Sequence, residues 1–419
     1  MGWNTWDCYG AAITESEFRA CADVLAERLL PSGWQYAVVD IQWYDTDPAE
    51  NFYPETESIV LDEYGRVVPA PNRFPSADGG KGFGPLADYT HSKGLKFGLH
   101  IMQGIPRRAV RDNLPILGTD VRAADIADTS YDCSWCKNNW NVDVSKPGAQ
   151  EYYDSLIALF AEWGVDYIKV DDLSRPYNAA TIEALRSAID RCGRRIVLSL
   201  SPGPAPLDQA EHVKRHAELW RASHDLWDTW GEDDGWAGLH AAFELAAAWA
   251  PHGGPGHWPD LDMLPLGRIS MRGQRGPDRQ SKLTPDEQRT MMTLWCIARS
   301  PLMWGGDPLS LDDATLSLLT NEEVLAVLNG SSGNSQLSRT EDSVVWVADA
   351  GDGGKYVALF NVGDGGTVKI AVELAALGLN GPCRVRDMWA REDLPAAEGA
   401  LAASVPEHGA ALFRVAPAA

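Results

Sequence analysis

No stretch of this sequence approaches the roughly 18 consecutive apolar residues that a membrane-spanning helix needs, so no such helix is expected. Positive charge is scarce too. Against 59 aspartates and glutamates stand only 36 lysines and arginines, a formal net charge of -23. Nucleic-acid phosphates and anionic membrane surfaces would be repelled, so neither is a partner, and acidic substrates are disfavoured for the same reason. The N-terminus, Met1-Gly2-Trp3-Asn4-Thr5-Trp6, lacks the basic stretch followed by an apolar one that marks a secretion signal. The expectation is a cytoplasmic protein. Cysteines number seven, an odd and mostly scattered set, which points to reduced thiols. The one close pair, Cys133-Ser134-Trp135-Cys136, has no second such pair and no histidine pair at matching spacing, so two unlinked loop thiols are expected rather than zinc.

What is present suits a sizeable enzyme. An α/β barrel takes about 250 residues, so 419 residues accommodate a barrel and a small second domain. Apolar residues make up 45% and charged residues 23%, enough to fill a large core. The 17 tryptophans stand out. Their flat faces suit sugar rings and suit a core equally well. Several (Trp3, Trp6, Trp43, Trp220, Trp258 and Trp304) fall at expected strand ends.

Short apolar runs alternate with helical patterns up to about residue 310. Strands are expected at Tyr36–Asp40, Leu95–Ile101, Tyr167–Asp171, Ile196–Ser201 and Leu219–Ser223, with weaker ones at Met1–Trp6 and Leu302–Gly305. They do not alternate cleanly, as when both faces are buried. Helices are expected at Glu15–Leu30, Pro85–Ser92, Gln150–Glu162, Ala179–Asp190 and Leu239–Ala250. Thr284-Pro285-Asp286-Glu287 is a capping box that starts a further one. Repeating strand–helix units, near eight in number, predict a (β/α)8 barrel. The small-residue stretch Ser331-Ser332-Gly333-Asn334-Ser335 reads as a linker, dividing a catalytic barrel (1–332) from a second domain (333–419). There, Ser343–Ala348, Tyr356–Val362, Cys383–Met388 and Ala410–Val415 read as strands of a small antiparallel β-sandwich without a catalytic cluster.

A barrel's active site lies at the C-terminal ends of its strands. Standing there are Asp40-Ile41, Lys169-Val170-Asp171-Asp172, Ser199-Leu200-Ser201, Arg221 through Asp225, and Pro259-Asp260-Leu261-Asp262. Several carboxylates would converge on one mouth, with Lys169 and Arg221 among them. Lys169 and Asp171 are two apart on one strand and share a face. A carboxylate beside an ammonium stays ionised, as a nucleophile must, while one crowded by negative neighbours is pushed up toward a general acid. Two carboxylates of divergent pKa are what retaining glycoside hydrolysis requires. Residue types and spacing reach as far as a barrel enzyme with a carboxylate-rich site.

The motifs Met1-Gly2-Trp3-Asn4-Thr5-Trp6, Val38-Val39-Asp40, Lys96-Phe97-Gly98-Leu99, Tyr167-Ile168-Lys169-Val170-Asp171, Trp220-Arg221 with Asp225, Pro259-Asp260-Leu261-Asp262-Met263-Leu264 and Glu287-Gln288 through Leu294-Trp295 occur in order. Together they resemble glycoside hydrolase family 27, the α-galactosidase and α-N-acetylgalactosaminidase family, over nearly the whole chain. The resemblance implies a retaining exo-glycosidase acting on a small-molecule glycoside or oligosaccharide, with no metal or organic cofactor. It implies Asp171 as nucleophile and Asp225 as acid/base. Lys169 and Arg221 match binders of ring hydroxyls, Trp6 the aromatic floor, and Asp40 the first of two aspartates that hold the C4 and C6 hydroxyls. Asp262 stands in one of the shared motifs and joins the candidate sugar-binding residues. Assembly as a homo-oligomer is left open.

Four positions depart from that pattern. Ile41 replaces the second aspartate of the pair. A galactose C6 hydroxyl would lose its charged acceptor, worth about 1.5–3 kcal/mol. β-L-arabinopyranose has the same ring stereochemistry without the exocyclic CH2OH, so an isoleucine would fill the space with nothing left unpaired. The resemblance is therefore to the family's β-L-arabinopyranosidases, unless Ile41 packs away from the sugar, as strict alternation with Asp40 would have it. At Ser201, where the family carries a larger group near the C2 hydroxyl, small residues leave room for an N-acetyl group. His100 stands where tyrosine is common, and would either bond a sugar hydroxyl or line the barrel. Cys133 lies near a family cysteine that pairs just after the nucleophile; that partner position is Leu173 here, so the disulfide cannot form. A Schiff-base lyase using Lys169 and a non-catalytic sugar-binding protein are the competing classes. Acidic neighbours that would keep Lys169 protonated oppose the first, and the intact aspartate pair opposes the second.

Overall fold

The computed structural model describes residues 1–49, 53–201, 203–273 and 275–418. Among them a strand–helix order repeats eight times along the first three-quarters of the chain. The strands are β1 (Gly2–Asn4), β2 (Tyr36–Val39), β3 (Lys96–Met102), β4 (Tyr167–Asp171), β5 (Val197–Leu200), β6 (Leu219–Arg221), β7 (Trp258–Asp260) and β8 (Met303–Trp304). The helices that follow them are α1 (Glu15–Val24), α2 (Gly84–Ser92), α3 (Ala149–Glu162), α4 (Ala179–Arg191), α5 (Ala210–His216), α6 (Leu239–Trp249), α7 (Pro285–Ala298) and α8 (Asp313–Leu319).

By contact the chain forms two compact units. The first comprises Met1–Arg221, Gly267–Gln280 and Met303–Leu311. In it β1 to β4 pair in parallel with their neighbours, β4 pairs β5 and β5 pairs β6. The last strand, β8, pairs in parallel with the first, β1, on the side away from β2, as in the strand order of a barrel. These strands are buried on both faces: Val38, Val39, Leu99, Ile168, Val170 and Leu198 are fully inaccessible. Gly98 permits the close approach of three strands, since a Cβ there would sit 2.9 Å from Val38 Cγ2 and 3.0 Å from the Tyr167 ring.

The second unit comprises Ala222–Leu266, Ser281–Leu302 and Asp312–Ala419. Its helix α7 begins as the sequence demands: Thr284 N–H donates to Glu287 Oε2 at 2.7 Å, and Glu287 N–H to Thr284 Oγ1 at 3.2 Å. After α9 (Glu322–Gly330) come β9 (Ser332–Arg339), β10 (Ser343–Asp349), β11 (Lys355–Asn361), β12 (Val368–Glu373), β13 (Cys383–Asp387), β14 (Glu392–Ala397), β15 (Ala400–Val405) and β16 (Ala410–Pro417). Six form one sheet in the order β9-β10-β11-β16-β13-β14, and β12 pairs with β15 in a second. Val357, Leu359, Phe413 and Val415 of the first pack on Ile370, Val372, Leu401 and Val405 of the second, the core of an antiparallel sandwich.

Two expectations need correction. The stretch Ser331–Ser335 is no linker: from Ser332 it is the edge strand β9, antiparallel to β10. Its side chains are mostly exposed, so nothing apolar marks it, and the backbone ladder alone defines it. Strands β2 and β6 also end sooner than expected, at Val39 and Arg221. Asp40, Ile41 and Ser223 therefore belong to loops. Among the described residues no helix is long and apolar enough to cross a membrane.

Candidate active site

Asp40 follows the last residue of β2 and is 3% exposed. Its Oδ2 accepts from Asn4 Nδ2 at 2.8 Å and from Lys169 Nζ at 3.1 Å, tying the ends of β1, β2 and β4 together. Its own N–H donates to Thr5 Oγ1, and its Oδ1 accepts from the Ile41 N–H at 2.9 Å. Burial opposes ionisation, but the Lys169 and His100 charges and these donors outweigh it and hold Asp40 at about 2. Asp40 is thus a fixed anion, a strong acceptor for a hydroxyl.

Asp171 ends β4. Its Oδ2 lies 2.9 Å from His100 Nε2 of β3, and its Oδ1 accepts from the Asp172 N–H at 2.8 Å. Asp172 turns the chain with φ of 68°, a left-handed conformation that aspartate tolerates better than most residues. Its carboxylate is 3.3 Å from Gln103 Nε2 and 3.0 Å from the Tyr131 hydroxyl. Burial, then the neighbouring Asp171 charge, push Asp172 up to about 6 despite those donors. The Tyr131 hydroxyl also lies 3.2 Å from the Arg175 carbonyl, sharing its proton between the two. These contacts hold the loop after β4, where Leu173 rules out the disulfide that the family pattern would place. Cys133 and Cys136 are buried free thiols, and burial with the Asp172 charge pushes Cys133 up to about 12.

Ile41 belongs to an apolar cluster with Met102, Tyr53, Cys133 and Cys136, against which Trp6 packs. Strand alternation does not place it, because β2 stops at Val39 and the chain turns through Gln42 at φ of 62°. Asp40 and Ile41 therefore sit in one turn, and Ile41 is grouped with Trp6. Of the strand-end tryptophans, Trp3, Trp43, Trp220 and Trp304 are wholly buried core residues, while Trp6 and Trp258 keep some exposure.

Ser201 follows β5 and is buried; its N–H donates to the Val170 carbonyl at 2.8 Å, and its own carbonyl accepts from Leu173 N–H at 3.3 Å. Arg221 ends β6 at 4% exposure. Asp225 lies in the loop beyond, partly exposed. That loop is braced by Asp262, whose Oδ2 accepts from the Leu226 N–H at 2.8 Å and whose carbonyl accepts from Trp295 Nε1 at 2.9 Å. From the sequence Asp262 was expected only as a sugar contact. Asn4, Gln103 and Tyr131 were not expected there; Asn4 lies within the motif Met1–Trp6, but nothing local signals Tyr131.

The contacts thus join Trp6, Asp40, Ile41, His100, Lys169 and Asp171 in one group at the C-terminal strand ends, and the Asp225 loop with Asp262 in another. Family models described as alpha galactosidase A and as the alpha galactosidase C-terminal beta sandwich domain match residues 139–330 and 340–415. The chain is 51% identical to a solved structure from Geobacillus stearothermophilus described as a GH27 β-L-arabinopyranosidase, with a TM-score of 0.96, covering 100% of this chain and 96% of that one. The chain belongs to glycoside hydrolase family 27. It is a glycoside hydrolase with a (β/α)8 barrel followed by a C-terminal β-sandwich. A variant of the same Geobacillus enzyme in complex with arabinose is 50% identical, with a TM-score of 0.96 and coverage of 100% and 97%. Among curated relatives, an α-galactosidase of Oryza sativa is 28% identical over 426 residues, spanning 100% of this family 27 chain and 84% of its own length.

Proposed function

We propose that this family 27 enzyme is a retaining exo-glycosidase that removes terminal β-L-arabinopyranosyl residues and hydrolyses α-D-galactopyranosides more slowly. The observation that carries the reading is Ile41, set beside the Asp40 anion and packed with Trp6. An alkyl group there satisfies a sugar that ends at C5 and strands a C6 hydroxyl. The likeness to the Geobacillus arabinopyranosidase supports the same substrate class.

In this mechanism Asp171, aligned by His100 and the Asp172 N–H, attacks the anomeric carbon while Asp225 protonates the departing oxygen. A glycosyl ester on Asp171 results. Asp225, now a carboxylate, takes a proton from water, the water attacks the same carbon, and Asp171 leaves as a carboxylate. Asp40 and Lys169 hold ring hydroxyls, with Arg221 a further donor to them, and Trp6 supplies an apolar floor.

The test is kcat/KM on p-nitrophenyl β-L-arabinopyranoside against the α-D-galactopyranoside, for the parent and for Ile41→Asp. The parent should favour the arabinoside. Restoring the charged acceptor should shift the ratio toward galactoside by about one to two orders of magnitude. A parent that favours galactoside, with a ratio untouched by the substitution, would make Ile41 a packing residue. Ser201 would then be the place to look, and the N-acetylgalactosaminide joins the assay for that reason.

A further inference from the structure

His212 and His216 are one helical turn apart on α5, so their imidazoles share a face, with ring centroids 4.3 Å apart. Helix α4 brings Glu183 to the same place. One donor atom from each of the three lies within 4.8 Å of the others. The remaining nitrogen of each ring is already held. His216 Nδ1 is 2.8 Å from the His212 carbonyl. A carbonyl only accepts, so the proton is on Nδ1 and Nε2 presents its lone pair. His212 Nδ1 is 2.6 Å from the Tyr177 hydroxyl, and its Nε2 is 3.1 Å from Glu183 Oε1. The Tyr177 ring stands at 83° to the His212 ring and fixes its plane. Histidines that bind metals are oriented in this way, by a partner on the nitrogen that does not bind.

We propose that Glu183, His212 and His216 form a binding site for a divalent transition metal ion of the zinc class. Two imidazoles and a carboxylate suit zinc, cobalt or nickel. Magnesium and calcium take oxygen ligands instead. The cluster shares no residue with the strand-end group assigned to hydrolysis. An ion would replace the proton shared between His212 Nε2 and Glu183. The ring proton then sits on Nδ1, where the Tyr177 oxygen accepts it. With the Glu183 side chain 58% exposed, the ion enters without opening the fold. It links α4 to α5, so its effect is on stability rather than on turnover.

The test uses the full-length, tag-free enzyme, stripped with chelator and titrated with zinc chloride by calorimetry and by thermal unfolding. One zinc per chain should bind, and zinc at about 100 times Kd should raise Tm by a few degrees. Cobalt chloride should give visible absorption of a cobalt ion with nitrogen ligands, and magnesium should do neither. His216→Ala and Glu183→Gln should each weaken zinc binding at least about tenfold, and Tyr177→Phe by a similar factor, with glycoside turnover unchanged. His216→Ala also removes a contact at the helix end, so the readout is the zinc-dependent shift within each variant, not Tm itself. A parent that takes up no zinc, or variants that bind it as the parent does, would overturn the proposal.

Discussion

His100 Nε2 lies 2.9 Å from Asp171 Oδ2, and His100 is wholly buried. A carboxylate only accepts, so the proton of this bond is carried by the ring. Among the described residues the ring's Nδ1 finds no hydrogen-bond partner. The one polar contact of the ring is therefore directed at the proposed nucleophile. His100→Phe should lower kcat by about one to two orders of magnitude, the value of a hydrogen bond to a charged group, and leave KM little changed. His100→Tyr, which can donate from a similar place, should recover part of the loss. A change confined to KM would instead make His100 a sugar contact.

Asp171→Gly should abolish turnover, by roughly 10³-fold or more, without loss of the folded state. Azide should restore cleavage of an activated arabinoside and yield the glycosyl azide of inverted configuration. Turnover without azide near the parental rate would refute the nucleophile assignment.

Lys169 and Asp40 pair across 129 residues of sequence, at 3.1 Å, with the Asp40 carboxylate buried and the lysine partly so. Removing one member strands the other charge, which costs about 3–5 kcal/mol. Lys169→Met should lower the stability measured by urea unfolding by that order, and also weaken sugar binding. Pairing it with Asp40→Asn should recover much of the stability and none of the activity.

The Asp262 carboxylate accepts from the backbone of the loop that carries Asp225. Asp262→Ala should loosen that loop and impair protonation of the leaving group. Aryl glycosides with poor leaving groups should slow more than p-nitrophenyl glycosides, by about tenfold or more. Equal slowing of both would place Asp262 on the sugar instead.

Asp172 sits at about 6 in the folded enzyme against 3.8 for a free aspartate, with burial and then the Asp171 charge as the causes. Between those values the folded state binds the proton more tightly. Stability is therefore lost as pH rises from about 4 to about 6, by about 3 kcal/mol for two pH units. Asp40, held at about 2, works in the opposite direction, and its contribution disappears only as pH falls through that value. Asp172→Asn should be relatively more stable than the parent at pH 7.5 than at pH 4.5. Urea unfolding at the two values measures the difference, and equal changes at both would remove Asp172 as the cause.

Most strands and helices of the barrel, the capping box at Thr284, and the placing of Asp40, Lys169 and Asp171 at strand ends could be read from the chain. Each depends on hydrophobic period or turn chemistry, properties of a few neighbouring residues. The polar edge strand β9 escaped that reading because a ladder of backbone hydrogen bonds leaves no apolar pattern. Partners were another matter. That Lys169 reaches Asp40, that His100 meets Asp171, that Tyr131 holds Asp172 and that Asp262 braces the Asp225 loop are relationships between residues 36 to 129 positions apart. Ile41 shows the limit most directly. Its identity was legible, but its direction depended on β2 ending at Val39 and on the turn at Gln42, which packing against the Trp6, Met102 and Cys133 cluster accompanies. Sequence by itself determined which groups follow the strands; only the tertiary structure, through strand register and loop packing, decided which of them touch.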